Sequence, residues 1–123
     1  MLKLTVVSDE ADLVRVQCEG EISQVKFQLN DNPLESLAGP SIYSRKLLLN
    51  LDRVEFLDSS GISWLVVSHK NFQQHGGVLV LHSIPPMIYH CFKILGLLDV
   101  LHIAPDEAAA CASATPLLSR GKS

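Results

Sequence analysis

A chain of 123 residues with 47% hydrophobic and 19% charged side chains has material for one hydrophobic core and too little charge density for general disorder. Thirteen acidic against 10 basic side chains give a net charge of -3, which removes the cationic excess that a nucleic-acid partner would require. No apolar run reaches the roughly 20 residues that cross a bilayer, and Met1-Leu2-Lys3-Leu4 lacks the apolar stretch of a secretory signal, so a cytoplasmic protein without membrane insertion is expected.

Leu4–Val7 and Leu13–Cys18 are short β-prone runs on either side of the polar Ser8-Asp9-Glu10-Ala11-Asp12, and they predict an antiparallel opening pair. Gly20-Glu21-Ile22-Ser23 is expected to break the strand, and Gln24–Asp31 reads as a short strand or an ordered loop. Asn32-Pro33-Leu34-Glu35 marks a helix start, with Asn32 as cap and Pro33 at the first helical position, and Gly39-Pro40 ends that brief helix. Leu47-Leu48-Leu49-Asn50-Leu51 is nearly continuous in apolar character and predicts a central strand covered on both faces.

After Asp58-Ser59-Ser60-Gly61, the residues Ile62, Leu65, Val66, His69 and Phe72 recur at helical spacing, up to a left-handed cap at Gly76-Gly77. Val78–Ile84 is the next buried strand, so strand, helix and strand imply a right-handed crossover. Pro85-Pro86 opens a second helix with Ile88, Cys91, Phe92 and Leu95 on its inner face and Gly96 at its end. Leu97–Ile103 returns as a short strand, and Asp106-Glu107 followed by alanines predicts a last helix. The domain is expected to span 1–114, with 115–123 as a flexible tail.

Cys18, Cys91 and Cys111 form no C-x-x-C pair and are read as reduced thiols packed as small hydrophobes. The five histidines show no H-x-x-x-H or H-x-H spacing, so no metal is expected. No G-x-x-x-x-G-K-[ST] or G-x-G-x-x-G loop occurs, and no cofactor is expected either.

The segment from Leu47 through Asp58-Ser59-Ser60-Gly61-Ile62 resembles the signature of STAS domains, the family named for sulfate transporters and anti-sigma factor antagonists. Gly76-Gly77 before a strand, Pro85-Pro86 at a helix start and Phe92-Lys93-Ile94-Leu95-Gly96-Leu97 before the last strand extend the likeness over roughly residues 46 to 104. The resemblance implies an α/β single domain, a mixed four- to five-stranded sheet with about four helices packed against it. It also implies a regulatory protein of the anti-sigma factor antagonist type, not an enzyme. Its partner would be an anti-sigma factor that is also a serine kinase of the ATP-binding switch type, and phosphorylation of the first motif serine, Ser59, would release it. The alternative within the same fold is a scaffold subunit of a stress-signalling assembly. Glu21-Ile22-Ser23 resembles the family's Gly-Glu-hydrophobic-Asp turn, with Ser23 where aspartate is common.

Chemistry alone gives these residues a second reading. Ser59 and Ser60 sit where a helix cap is needed, Asp58 is a cap or turn former, and Gly61 allows close packing. The candidate partner surface is Asp58, Ser59, Ser60, Gly61, Glu21, Ile22, Ser23 and Trp64. Trp64 falls off the main apolar face, which makes it a contact residue or a core residue. A serine hydrolase built on Ser59 is disfavoured, because there is no G-x-S-x-G elbow and adjacent Asp58 and Ser59 form no relay. A monomer or weak homodimer is expected.

Overall fold

Three consecutive leucines, Leu47, Leu48 and Leu49, are all buried. Because neighbouring side chains on a strand point to opposite faces, such a run demands cover on both sides of the sheet. The computed structural model, which describes residues 3–10, 13–22 and 33–112, supplies that cover. β1 (Lys3–Asp9), β2 (Leu13–Ile22), β3 (Lys46–Leu57), β4 (Val78–His82) and β5 (His102–Ala104) form one sheet in the order β1-β2-β3-β4-β5. β1 and β2 are antiparallel, while β2 through β5 run parallel, so the sheet is mixed and β3 lies at its centre.

Helices α1 (Pro33–Ala38), α2 (Ser59–Gln74) and α3 (Pro86–Ile94) accompany the sheet, with 3-10 turns at Pro40–Ser44 and Leu97–Asp99 and a helical segment at 107–112. Val14, Val16 and Cys18 of β2, Leu47, Leu49 and Leu51 of β3, and Leu79 and Leu81 of β4 form one core with Leu34, Trp64, Leu65, Phe72, Ile88 and Phe92. Leu13, Leu48, Val78 and Val80 point the other way and meet Ala104 and Ala110. Asp106 caps the segment that brings Ala110 there, accepting from the N–H of Ala109 at 2.8 Å.

The opening hairpin, the central strand, the β3–α2–β4 crossover and the proline-led α3 follow the sequence pattern. Four readings are corrected. Gly20–Ile22 continue β2 instead of breaking it, because β2 stays paired with β3 through two register shifts. β4 ends at His82, and Ser83 turns the chain with φ 57. Leu97–Asp99 form a 3-10 turn, which leaves only His102–Ala104 as strand. On α3, Ile88 and Phe92 are buried whereas Cys91 and Leu95 are exposed, so the inner face is narrower than predicted. Ser23, Gln24–Asp31, the expected cap Asn32 and the expected tail 115–123 lie outside the described residues.

Candidate functional site

β4 pairs with β3 only as far as Asn50↔His82, but β2 keeps company with β3 to Ile22↔Leu57. The β2–β3 pair therefore runs on beyond β4, and the Asp58-Ser59-Ser60-Gly61 junction sits at its far end. Along this extension Gln17↔Asn50 is followed by Glu19↔Arg53, and Gly20↔Val54 by Glu21↔Phe56, so β3 twice carries an extra residue. Each extra residue reverses which face the next side chain takes. That explains why the inward residues are Leu51 and Val54, three apart, and why Phe56 is turned out with 51% of its surface exposed.

The junction is locked to the end of β2. The N–H of Asp58 donates to the carbonyl oxygen of Ile22 at 3.2 Å. Gly61 lies so close to the same strand end that a Cβ there would stand 2.3 Å from the Ile22 oxygen, 2.6 Å from Leu57 Cδ1 and 2.7 Å from Ile22 Cγ2. Glycine is thus required by contact, not by dihedral angle.

Asp58 is the N-cap of α2, with extended backbone angles of φ -101 and ψ -176. Its Oδ1 accepts from the Gly61 N–H at 3.0 Å and from the Ser60 hydroxyl at 2.6 Å. Its carbonyl accepts the N–H of Ile62 at 3.0 Å, the first turn of the helix. Ser59, the first residue of α2, is exposed, and its hydroxyl makes no hydrogen bond among the described residues. Ser60 is partly exposed but its hydroxyl is engaged.

The structure brings Asp58, Ser59, Ser60, Gly61 and Ile22 together and leaves Glu21 exposed beside Phe56. Three surface assignments are corrected, the first being Gly61, which is buried against Ile22 and Leu57. Trp64 has no exposed surface and packs in the main core with Leu65 and Phe72, because α2 presents positions 61, 64, 65, 68, 69 and 72 to the sheet. Ile22 is likewise fully buried, and it serves the junction through its backbone oxygen and its packing against Gly61. Phe56 is the residue that sequence reasoning missed. Period-2 alternation from Val54 would place it inside, and only the irregular pairing around Glu55 reveals the opposite.

The chain belongs to the STAS domain family, whose family model matches residues 6–110. Over 121 residues it is 27% identical to a Bordetella bronchiseptica protein named as an anti-sigma factor antagonist, BtrV, a match that covers 97% of this chain and all of that one. Its fold is similar to the crystal structure of an anti-sigma factor antagonist from Mycobacterium paratuberculosis, with a TM-score of 0.67 and 21% identity over 92% of this chain and 95% of that one. It is also similar to the Bacillus cell fate determinant SpoIIAA in its phosphorylated form, with a TM-score of 0.58 and 20% identity over 92% of this chain and 99% of that one. Among the described residues no helix is long and apolar enough to cross a membrane.

Proposed function

We propose that this chain is an anti-sigma factor antagonist. Unmodified, it binds in the cytoplasm to an anti-sigma factor that is also an ATP-binding serine kinase, and phosphorylation at Ser59 releases it. The observation that supports this reading is the exposed Ser59, whose hydroxyl makes no hydrogen bond among the described residues, at the first residue of a 16-residue helix. The similarity to BtrV along the whole chain supports the class of partner, and the phosphorylated form of SpoIIAA shows that a protein of this fold carries phosphate. In this reading the chain needs no cofactor and catalyses nothing, since ATP belongs to the kinase.

A phosphate on Ser59 adds about -1.5 to -2 charge. The first N–H groups of a helix lack intrahelical partners, and the helix dipole is positive there, which is worth roughly 0.3 to 1 kcal/mol per charge at an exposed site. The fold therefore tolerates the modification. A docked partner does not, because the phosphate would be desolvated beside Asp58 and beside any acidic group of that partner. At effective dielectrics between about 20 and 80, a like-charge pair near 5 Å costs on the order of 1 to 3 kcal/mol. That weakens binding by roughly 10- to 100-fold without a change of shape.

The test is an affinity pulldown with the unmodified chain, followed by intact-mass measurement after incubation with ATP and the recovered partner. A gain of one phosphate on Ser59 is expected, and its absence in the presence of an active kinase removes the proposal. A second reading, a scaffold subunit of a stress-signalling assembly, is favoured by one observation: Met87, Ile94 and Leu95 of α3 and its end are exposed. Size-exclusion chromatography separates the two. A large homo-oligomer indicates the scaffold, and a monomer or dimer that forms a stoichiometric complex with a kinase indicates the switch.

A further inference from the structure

We propose that Asp58 is the residue that selects between the two motif serines, making Ser59 the phosphoacceptor by holding the hydroxyl of Ser60. The inference rests on the reading of Ser59 as acceptor and goes one step further, to how the site chooses. Two serines stand side by side at the start of α2, and burial does not separate them completely, since Ser59 is exposed and Ser60 is partly exposed. What separates them is hydrogen bonding. The Ser60 hydroxyl donates to Asp58 Oδ1 at 2.6 Å, a short bond to a carboxylate, whereas the Ser59 hydroxyl has no such bond among the described residues.

The same carboxylate oxygen also accepts the Gly61 N–H, and the backbone of Asp58 is itself tied to Ile22. Its position is therefore fixed by the helix it caps and by the neighbouring strand. Asp58 cannot follow Ser60 outward without giving up the cap. For Ser60 to enter a kinase site, its hydroxyl must leave this charge-assisted bond first. Bonds of that kind correspond to a preference of roughly 10- to 100-fold against Ser60. Ser59 carries no such penalty.

In the transfer, Ser59 Oγ forms a bond to the γ-phosphorus of ATP held by the kinase, and the bond from that phosphorus to the β–γ bridging oxygen breaks. ADP leaves, and the hydroxyl proton passes to a base of the kinase. Asp58 takes no part in these bond changes. It is a positioning residue, and its effect is on which serine reacts.

The test locates the phosphate by tandem mass spectrometry after incubation with ATP and the serine kinase recovered on the immobilised wild-type chain. Wild type is expected to carry phosphate on Ser59. Ser59→Ala is expected to be modified at Ser60 about 10- to 100-fold more slowly. The double variant Ser59→Ala, Asp58→Ala should recover rapid modification, now on Ser60. Asp58→Asn retains a capping oxygen without the charge, and serves as the variant that keeps the helix start; alone it should move a part of the phosphate to Ser60. Rapid modification of Ser60 in Ser59→Ala overturns the inference, as does phosphate confined to Ser59 in both Asp58→Ala and Asp58→Asn. No phosphate on wild type overturns the acceptor reading itself, a different outcome from either.

Discussion

The N–H of Asp58 donates to the carbonyl oxygen of Ile22 at 3.2 Å, and this bond joins the end of β2 to the start of α2. Around it Gly61 fits against Ile22 and Leu57 with no room for a methyl group. The helix that presents Ser59 is thus positioned by a backbone contact between Ile22 and Asp58, 36 positions apart in sequence.

Gly61→Ala tests that contact. The new Cβ would meet a backbone oxygen at 2.3 Å, which cannot move as a side-chain tip can, so the start of α2 must shift. A destabilisation of about 1–3 kcal/mol is expected, as for overpacking elsewhere, read from the midpoint of urea unfolding. An unchanged midpoint would show that the helix start is not held by Ile22.

Trp64 and Phe56 should behave oppositely. Trp64 has no exposed surface, so Trp64→Ala is expected to cost about 3–5 kcal/mol in stability. Phe56 is 51% exposed next to Glu21, and Phe56→Ala should change stability by no more than about 0.5 kcal/mol. Under the proposed function its effect falls on partner binding, where loss of an exposed aromatic side chain is expected to cost more than about 1 kcal/mol. Calorimetric titration of the partner with both variants checks this pair.

Stability should fall on mild acidification. Burial holds the pKa values of His69, His82 and His102 below the ordinary 6.5, and His69 and His102 lie with ring centroids 5.0 Å apart. A depressed histidine pKa means that the unfolded chain binds more protons than the folded one below pH 6.5. The stability these groups contribute is therefore complete above that pH and is lost as pH drops below it toward the folded values. The urea midpoint at pH 5.5 is expected below that at pH 7.5, and His69→Gln should flatten the difference.

Thiol chemistry should separate the cysteines. Burial, aided by Glu19, pushes the Cys18 thiol up to about 12, while Cys91 is exposed on α3. At pH 8 a thiol reagent should modify Cys91 quickly and reach Cys18 only after denaturant is added. Mass spectrometry of the labelled peptides distinguishes them.

Much of this architecture was legible in the sequence because local patterns and global packing agree. The run Leu47–Leu51 demanded a doubly covered strand, Pro86 marked the start of α3, and the Asp-Ser-Ser-Gly motif placed the strand-to-helix junction. What escaped was set by pairing across strands. Phe56 and Val54 have the same parity in sequence, yet an extra residue at Glu55 sends them to opposite faces. Trp64 lies on the one stripe of α2 that buries Gly61, Leu65, Ser68, His69 and Phe72, a face that the non-apolar Gly61 and Ser68 hide in the sequence. Gly20–Ile22 look like a strand breaker until β3 is present to pair with them. The resemblance singled out Ser59, the first motif serine, but a physical difference between the two hydroxyls, the 2.6 Å bond from Ser60 to Asp58, was not legible in the sequence.

The proposed switch depends on charge added at Ser59 weakening a protein contact while the fold stays as it is. The most direct measurement is the partner's dissociation constant for the unmodified chain and for the chain phosphorylated at Ser59, alongside amide spectra of both. A roughly 10- to 100-fold weaker complex with unchanged spectra beyond the start of α2 is expected. Equal affinity of the two forms would contradict it.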